Sequence, residues 1–309
     1  MLHNLPALVK AAVAICLLTL NTLFWVPVLL LVALVKLLMP WQSMRLLVDP
    51  LLIRIAERWI SGNSGWMRLT QRLDWDVQGL EALRRQDWYL VISNHQSWVD
   101  IFVLQHVLNR RIPMLKFFLK KELIWVPVMG LAWWALDFPF MRRYTSAYLA
   151  KHPEARGKDI AATRAACEKF ALVPTSVMNF VEGTRLTERK RRHQASPYRH
   201  LLRPKVGGIT LALQAMGERF SAVIDVTIAY PQGQPSFWDF LQGRVRQVIV
   251  QLQVLPVPQV QQSQEPDSAQ ALRQVCEAWL NHRWQLKDQA LESLLKPKNR
   301  DVKPGPSAS

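Results

Sequence analysis

The sequence predicts an α/β fold: a mixed, largely parallel sheet flanked by helices and preceded by an N-terminal membrane helix. Three observations lead there. Short continuous apolar runs recur from about residue 74, as strands buried on both faces do. Apolar residues at helical spacing separate those runs, which favours parallel pairing. Residues 11–35 carry no charged side chain, and about 20 apolar residues suffice to span a bilayer core. Half of the 309 residues are apolar and 20% are charged, enough to bury a core and too apolar for a disordered chain.

Residues 1–40 read as a transmembrane segment. A cleaved signal would have a shorter apolar region, roughly 7–15 residues, ending at a small-residue cleavage site. Asn21 and Pro27 mark places where the span could kink or turn back as a hairpin. Lys36, Arg45, Arg54, Arg58, Arg68 and Arg72 follow the span, which by the positive-inside rule puts the C-terminal side in the cytoplasm. Residues 41–73 mix apolar positions with arginines. They read either as an interfacial helix interrupted near Pro50 or as an amphipathic helix packed on the domain.

The α/β domain is expected over residues 74–295. YLVIS (89–93), IPMLKFF (112–118), TSVMNFV (175–181) and AVIDVTIAY (222–230) read as buried strands. Ile160, Thr163, Cys167 and Phe170 keep helical spacing, and GITLALQAM (208–216) suggests another helix. RVRQVIVQLQVLP (244–256) alternates for part of its length and is expected at a sheet edge. Residues 268–295 form a last amphipathic helix carrying Trp279 and Trp284. The uncharged stretch 123–136 is short for a span and reads as a core or interfacial segment, with Trp125, Trp133 and Trp134 favouring the interface. Residues 296–309 are polar and Pro-rich, as a disordered tail is.

Thirty-nine Lys and Arg against 23 Asp and Glu give a formal net charge of +16. The partner is therefore expected to be anionic: nucleic acid, a phospholipid surface or a phosphorylated substrate. Cys16, Cys167 and Cys276 are far apart and form no CxxC pair. That excludes a disulfide scaffold and a zinc ribbon and suits a reducing compartment. No GxxxxGK, GxGxxG, HExxH or GxSxG run is present, so NTP hydrolysis, dinucleotide redox chemistry, zinc proteolysis and serine-hydrolase chemistry lack their signatures. No metal is called for.

Two constellations carry chemistry. In NHQSWVD (94–100), His95 follows the strand YLVIS and Asp100 comes five residues later. On a regular helix these positions point about 140° apart. They can meet only if His95 sits on the loop entering a helix whose first turns hold Asp100. Asp100 would then fix one imidazole nitrogen and leave the other as a base, the His–carboxylate half of a triad. A structural pair is the plain alternative. In FVEGTRL (180–186), Gly183 lets the backbone approach a ligand, while Thr184 and Arg185 can bond phosphate oxygens. Glu182 could orient Arg185 or bind a glycerol hydroxyl. Arg189, Lys190, Arg191 and Arg192 form a basic run, either a solvated loop or an attraction for lipid head groups.

Together these residues resemble the glycerolipid acyltransferases of the 1-acyl-glycerol-3-phosphate acyltransferase type. NHQSWVD is similar to their NHxSxxD motif, and FVEGTR to F-x-E-G-T-R about ninety residues on. KKELIWVPVMG (120–130) looks like the segment between them. DFPFMRR (137–143) sits where the family has a strand ending in Arg, although Pro139 departs from its pattern. LRPKVGG (202–208) and VIDVTIAYP (223–231) resemble the lysophospholipid and lysocardiolipin branch. The likeness covers roughly residues 75–290. It implies a bacterial inner-membrane enzyme of phospholipid biosynthesis with its catalytic domain in the cytoplasm. His95 would be the general base and Asp100 its partner. Glu182, Gly183, Thr184 and Arg185 would bind the phosphorylated acceptor, with Arg142 or Arg143 contributing. It also implies an acyl-CoA or acyl carrier protein donor, no cofactor, and a lysophospholipid acceptor, 1-acyl-glycerol-3-phosphate first among them, giving phosphatidic acid. The rival from another class is a membrane-tethered basic protein that binds nucleic acid or anionic lipid. No zinc-finger or RNP1-like signature supports it.

Overall fold

The computed structural model describes residues 2–39, 41–141, 173–259 and 268–296. Strands β1 (Asp74–Gln78), β2 (Tyr89–Ser93), β3 (Leu115–Phe117), β6 (Ser176–Phe180), β7 (Ala222–Ala229) and β8 (Gln247–Leu255) form one sheet in the order β1-β8-β7-β2-β6-β3. A separate ladder joins β4 (Leu119–Lys120) to β5 (Phe140–Met141). All sheet pairings are parallel except β7 with β8. The helices are α1 (Ala7–Leu38), α2 (Gln42–Thr70), α3 (Val99–Leu108), α4 (Met129–Ala135), α5 (Glu188–His193), α6 (Gly207–Met216), α7 (Phe237–Leu241) and α8 (Ser268–Leu295).

Every residue of β2 is buried, because it sits mid-sheet with helices on both faces. Its side chains alternate between the two. Tyr89 and Val91 join α3, Trp66 and Phe240 in one core, whereas Leu90 and Ile92 join α6 and α8 in the other. Helix α8 is fastened to its face by buried polar groups. Trp284 Nε1 donates to the Leu202 carbonyl at 3.1 Å, and Lys287 Nζ donates to the Val226 carbonyl at 2.7 Å. Arg283 and Lys287 also pair with Asp225 on β7.

Two expectations need correction. The segment 244–256 contains β8, but β8 is not an edge strand, because β1 pairs along its outer side from Asp74 with Gln247 to Gln78 with Gln251. The polar, five-residue β1 lacks the apolar run by which the other strands are recognised. Helix α2 also runs unbroken through Pro50. Proline removes one i→i−4 hydrogen bond, and the helix continues through it with the flanking Val48, Asp49 and Leu52 buried. The helical spacing at 160–170 and the tail beyond residue 296 lie outside the described residues.

Helix α1 is long and apolar enough to cross a membrane by length and composition. Pro27 lies within it and does not end it. It packs along α2 through a polar seam. Asn21 Nδ2 donates to the Trp59 carbonyl at 2.8 Å and to Asn63 Oδ1 at 2.9 Å, and Trp59 Nε1 donates to Thr22 at 3.1 Å. A Cβ at Gly62 would sit 2.2 Å from Asn21 Oδ1, so glycine is what permits this approach. Near its start, Ala11 and Ala14 join the core under α3. Near its end, Val26, Leu29 and Ala33 pack with Ala132 and Ala135 of α4. Both ends of α1 thus rest on the α/β domain, while Leu20, Leu23, Phe24, Leu31 and Leu38 are exposed.

An ionic clasp closes the far end of the hairpin. Lys36 pairs with Asp49 at 2.8 Å and with Asp137, and Arg45 reaches Asp137 at 3.1 Å and Asp49 at 3.6 Å. The wholly buried Lys116 of β3 faces the same carboxylates, and burial pulls its ammonium down to about 8. Removing one of two carboxylates would leave three cations on the other. The cluster is partly exposed, so breaking it is expected to cost between about 0–1 kcal/mol, as for a surface pair, and about 3–5 kcal/mol, as for a buried one. Asp137→Asn is therefore expected to lower the thermal midpoint of the detergent-solubilised protein by several degrees and to loosen α1 to proteolysis. An unchanged midpoint would remove the clasp from the account of stability.

Candidate active site

Strand β2 ends at Ser93, and the chain crosses to α3 through Asn94, His95, Gln96, Ser97 and Trp98. The Asn94 side chain extends the sheet, donating to the Ile228 carbonyl and accepting from the Ile228 N–H, each at 2.9 Å. This anchors the loop to β7 just before His95.

Asp100, in the first turn of α3, is fully buried and folds back over the loop. Its Oδ2 accepts from Gln96 N–H at 2.6 Å, Ser97 N–H at 2.8 Å and His95 Nδ1 at 2.9 Å. Its Oδ1 accepts from the Tyr230 hydroxyl at 2.6 Å. Oδ2 already accepts from two backbone N–H groups, so the Nδ1 contact is a donation from the imidazole and Nδ1 carries the proton. Nε2 is left with a lone pair and has no hydrogen bond among the described residues. The imidazole is also held flat, stacked on Phe180 with ring centroids 3.9 Å apart and 14° between planes. Burial and the adjacent Asp100 charge push the Tyr230 phenol well above its ordinary range, so it remains a donor.

The loop after β6 lies beside this dyad, because β6 is the parallel neighbour of β2. The Leu186 N–H donates to the His95 carbonyl at 2.7 Å, which ties the two loops together. Gly183 adopts φ +68°, the left-handed region that favours glycine, and Lys205 lies against it. The Thr184 hydroxyl accepts from Lys190 Nζ at 2.7 Å, and Lys190 also donates to the Arg185 carbonyl at 3.0 Å. Arg185 is exposed, with its guanidinium 4.7 Å from the Trp98 ring centroid. Glu182 is placed differently from its neighbours. It is fully buried beneath the loop and makes no ion pair with Arg185. Burial first, and the Asp100 charge with it, raise its carboxyl well above the ordinary range. The His95 and Leu202 backbone N–H groups oppose this without reaching hydrogen-bond geometry.

Of the residues singled out in the sequence, His95, Asp100, Glu182, Gly183, Thr184 and Arg185 thus gather at one end of β2 and β6. Arg142 and Arg143 lie outside the described residues. Sequence reasoning missed Tyr230, Trp98, Phe180 and Lys205. Tyr230 closes the strand run AVIDVTIAY, and only the adjacency of β7 to β2 brings it to Asp100. Among the described residues no group of three or more His, Cys, Asp or Glu side chains could hold a metal ion.

A sequence model of the Acyltransferase family matches residues 74–231, about half of the chain, and the chain belongs to that family. It is 28% identical over 223 residues to the mouse (Mus musculus) 1-acyl-sn-glycerol-3-phosphate acyltransferase gamma, covering 68% of this chain and 54% of that protein. It is 25% identical over 260 residues to mouse lysocardiolipin acyltransferase 1, covering 76% and 64% respectively. The chain spans about half to two thirds of the length of these curated relatives. The crystal structure of the 1-acyl-sn-glycerophosphate acyltransferase PlsC from Thermotoga maritima superposes with a TM-score of 0.51 at 16% identity. That match covers 94% of this chain and 98% of that one, and it shows a shared fold.

Two outcomes follow from the geometry. Tyr230→Phe removes one donor to Asp100 and keeps the ring. A hydrogen bond to a charged group is worth about 1.5–3 kcal/mol, so turnover should fall about tenfold or more with both KM values little changed. Steady-state kinetics on the folded variant would show it, and wild-type kcat would discard this positioning role. Glu182 has a raised folded-state pKa, so folding favours its protonated form. Its contribution is full below the ordinary carboxyl pKa and is lost as pH rises towards the raised value. Glu182→Gln should therefore gain thermal stability relative to wild type as pH is raised from about 5 to 8. A difference that does not change with pH would place the titration elsewhere.

Proposed function

We propose that the chain transfers a fatty acyl group from an acyl thioester to a hydroxyl of a lysophospholipid, with 1-acyl-glycerol-3-phosphate as acceptor and phosphatidic acid as product. The observation that carries this reading is the His95–Asp100 dyad with Nε2 unengaged, beside a loop that presents an exposed arginine. The relatives named above, two of which carry 1-acyl-glycerophosphate acyltransferase in their names, support the acceptor.

In this mechanism His95 Nε2 accepts the proton of the acceptor hydroxyl as its oxygen attacks the thioester carbonyl carbon. Asp100 stabilises the imidazolium that forms and keeps the tautomer fixed. The tetrahedral intermediate collapses, the carbon–sulfur bond breaks, and the imidazolium returns the proton to the leaving thiolate. The products are an ester and a thiol, and no cofactor enters the balance. Arg185, with Thr184 and the Gly183 backbone, holds the acceptor phosphate, and Arg142 is assigned to the same role. Glu182 supports this loop from beneath.

The exposed apolar side of α1, with Trp41, Leu46, Leu47 and Leu51 at the start of α2, attaches the protein to a membrane. By the positive-inside rule, the basic residues after α1 favour a catalytic domain on the cytoplasmic side of a bacterial inner membrane. Acyl-CoA and acyl carrier protein are both available there as donors.

The test is an assay of purified protein with labelled acyl thioesters and a panel of lysophospholipids. His95→Ala should lower transfer about 10²–10⁴-fold while leaving the protein folded. Arg185→Ala should raise KM for the phosphorylated acceptor more than for the thioester, as loss of uniform binding does. Wild-type turnover by folded His95→Ala protein would overturn the reading.

A further inference from the structure

A cleft of about 620 Å³ lies between the last turns of α2, strand β1 and the later part of α3. That volume suits a small-molecule ligand. Arg68, Arg72 and Arg111 line it, and all three are exposed. Among the described residues none of them has a carboxylate partner within 4.0 Å. Arg72 donates only to the Asn4 amide oxygen at 2.9 Å, and Arg111 to the Val107 carbonyl. The one acidic side chain in the wall, Asp74, accepts from Gln247 at 3.1 Å. Three cations around one hollow repel each other unless an anion joins them.

Two aromatic rings, Trp75 and His106, also line the cleft. The Trp75 and His106 rings lie 4.4 Å apart with 31° between their planes. Burial, aided by Arg68 and Arg111, pulls the His106 imidazole down to about 4, so it is neutral near pH 7. An aromatic ring stacks a nucleobase with little regard to its identity, while guanidinium groups take phosphate in bidentate fashion.

We propose that this cleft binds the phosphorylated adenosine of an acyl-CoA, with the base against Trp75 and the phosphates on Arg68, Arg72 and Arg111. The assignment rests on reading the chain as a thioester-using acyltransferase, and it selects acyl-CoA as the donor. Helix α3 gives the geometric link. The helix starts directly after the His95 loop, and its later part supplies Val107 and His106 to the cleft. Ten residues of helix rise about 15 Å. Coenzyme A carries its thioester on a long flexible arm remote from its phosphates, so nucleotide and reaction centre must lie apart. A lipid head group fits less well. A head group has no aromatic base to lay on Trp75, although Leu69 beside Arg68 and Leu8 near the Asn4 that bonds Arg72 are exposed, so binding to vesicles tests that alternative directly.

The experiment uses full-length protein in detergent. Adenosine 3′,5′-bisphosphate, which has neither acyl group nor thiol, is titrated calorimetrically into His95→Ala protein, so binding is read without turnover. The expected result is saturable, salt-sensitive binding that Arg68→Gln or Arg111→Gln weakens about tenfold and that Trp75→Ala also weakens. In the active enzyme the same arginine variants should raise KM for acyl-CoA about tenfold, with far smaller effects on kcat and on the acceptor's KM. Vesicles containing phosphatidic acid form the other arm. Variants that lose vesicle binding and keep nucleotide binding would mark a head-group site and overturn the proposal. Acyl-CoA turnover without nucleotide binding would overturn this site and leave the proposed function standing. Nucleotide binding without acyl transfer from any thioester would do the reverse.

Discussion

The Asp100 carboxylate holds the site together. It accepts from two consecutive backbone N–H groups, one imidazole and one phenol. Those four donors come from the loop after β2 and from the end of β7, so one side chain fixes the first turn of α3, the loop and a neighbouring strand at once. The entropy of ordering a loop is large, about 1–2 kcal/mol per residue. A buried charge needs several donors to remain ionised away from water. Each requirement meets the other here. The loop is ordered because the carboxylate holds its N–H groups, and the buried carboxylate is satisfied because the loop supplies them.

The dyad itself was legible in the sequence, since a histidine after a buried strand and an aspartate five residues on can meet only through a loop and a helix start. Tyr230 was not legible, because its place depends on strand order, and no pattern within AVIDVTIAY says that β7 lies beside β2. The same limit explains β8. Its alternation reads as a half-buried edge, yet the polar β1 pairs outside it, and only the register reveals that. Glu182 shows a different limit. In the sequence Glu182 could orient Arg185 or bind a glycerol hydroxyl, but the chain turns between Glu182 and Arg185 at Gly183, with φ +68°. Glu182 turns under the loop and Arg185 turns out of it.

The net charge of +16 likewise divides into two populations that composition alone does not separate. Lys36, Arg45, Arg283 and Lys287 are consumed by buried carboxylates and fasten α1, α2 and α8 to the sheet domain. Arg68, Arg72, Arg111 and Arg185 make no such pairs among the described residues. Charges of the first kind specify which helices pack where and leave little field outside the protein. Charges of the second kind, solvated and uncompensated, attract anions over about a Debye length, roughly 8 Å at physiological salt. Of these four, Arg185 stands in the loop beside His95 and the other three stand around the cleft along α3.

The clasp at the end of α1 gives the apolar surface a fixed relation to the chemistry. Lys36, Arg45 and Asp137 surround one hollow together with Leu37 and Trp134. Exposed apolar side chains of α1 and α4 therefore lie beside paired charges that cannot leave without breaking the cluster. Trp125, at 85% exposure, stands in the segment leading into α4, and tryptophan favours the membrane–water boundary. Helix α4 packs on α1, and β4, just before it, follows β3, the strand beside β6. A continuous run of packed elements thus connects the apolar exposure to the loop that carries Arg185. A hairpin merely tethered by a linker would let the domain tumble over the lipid. Packed and ion-paired as it is, α1 holds its exposed apolar side chains in a fixed orientation relative to the His95 end of the sheet.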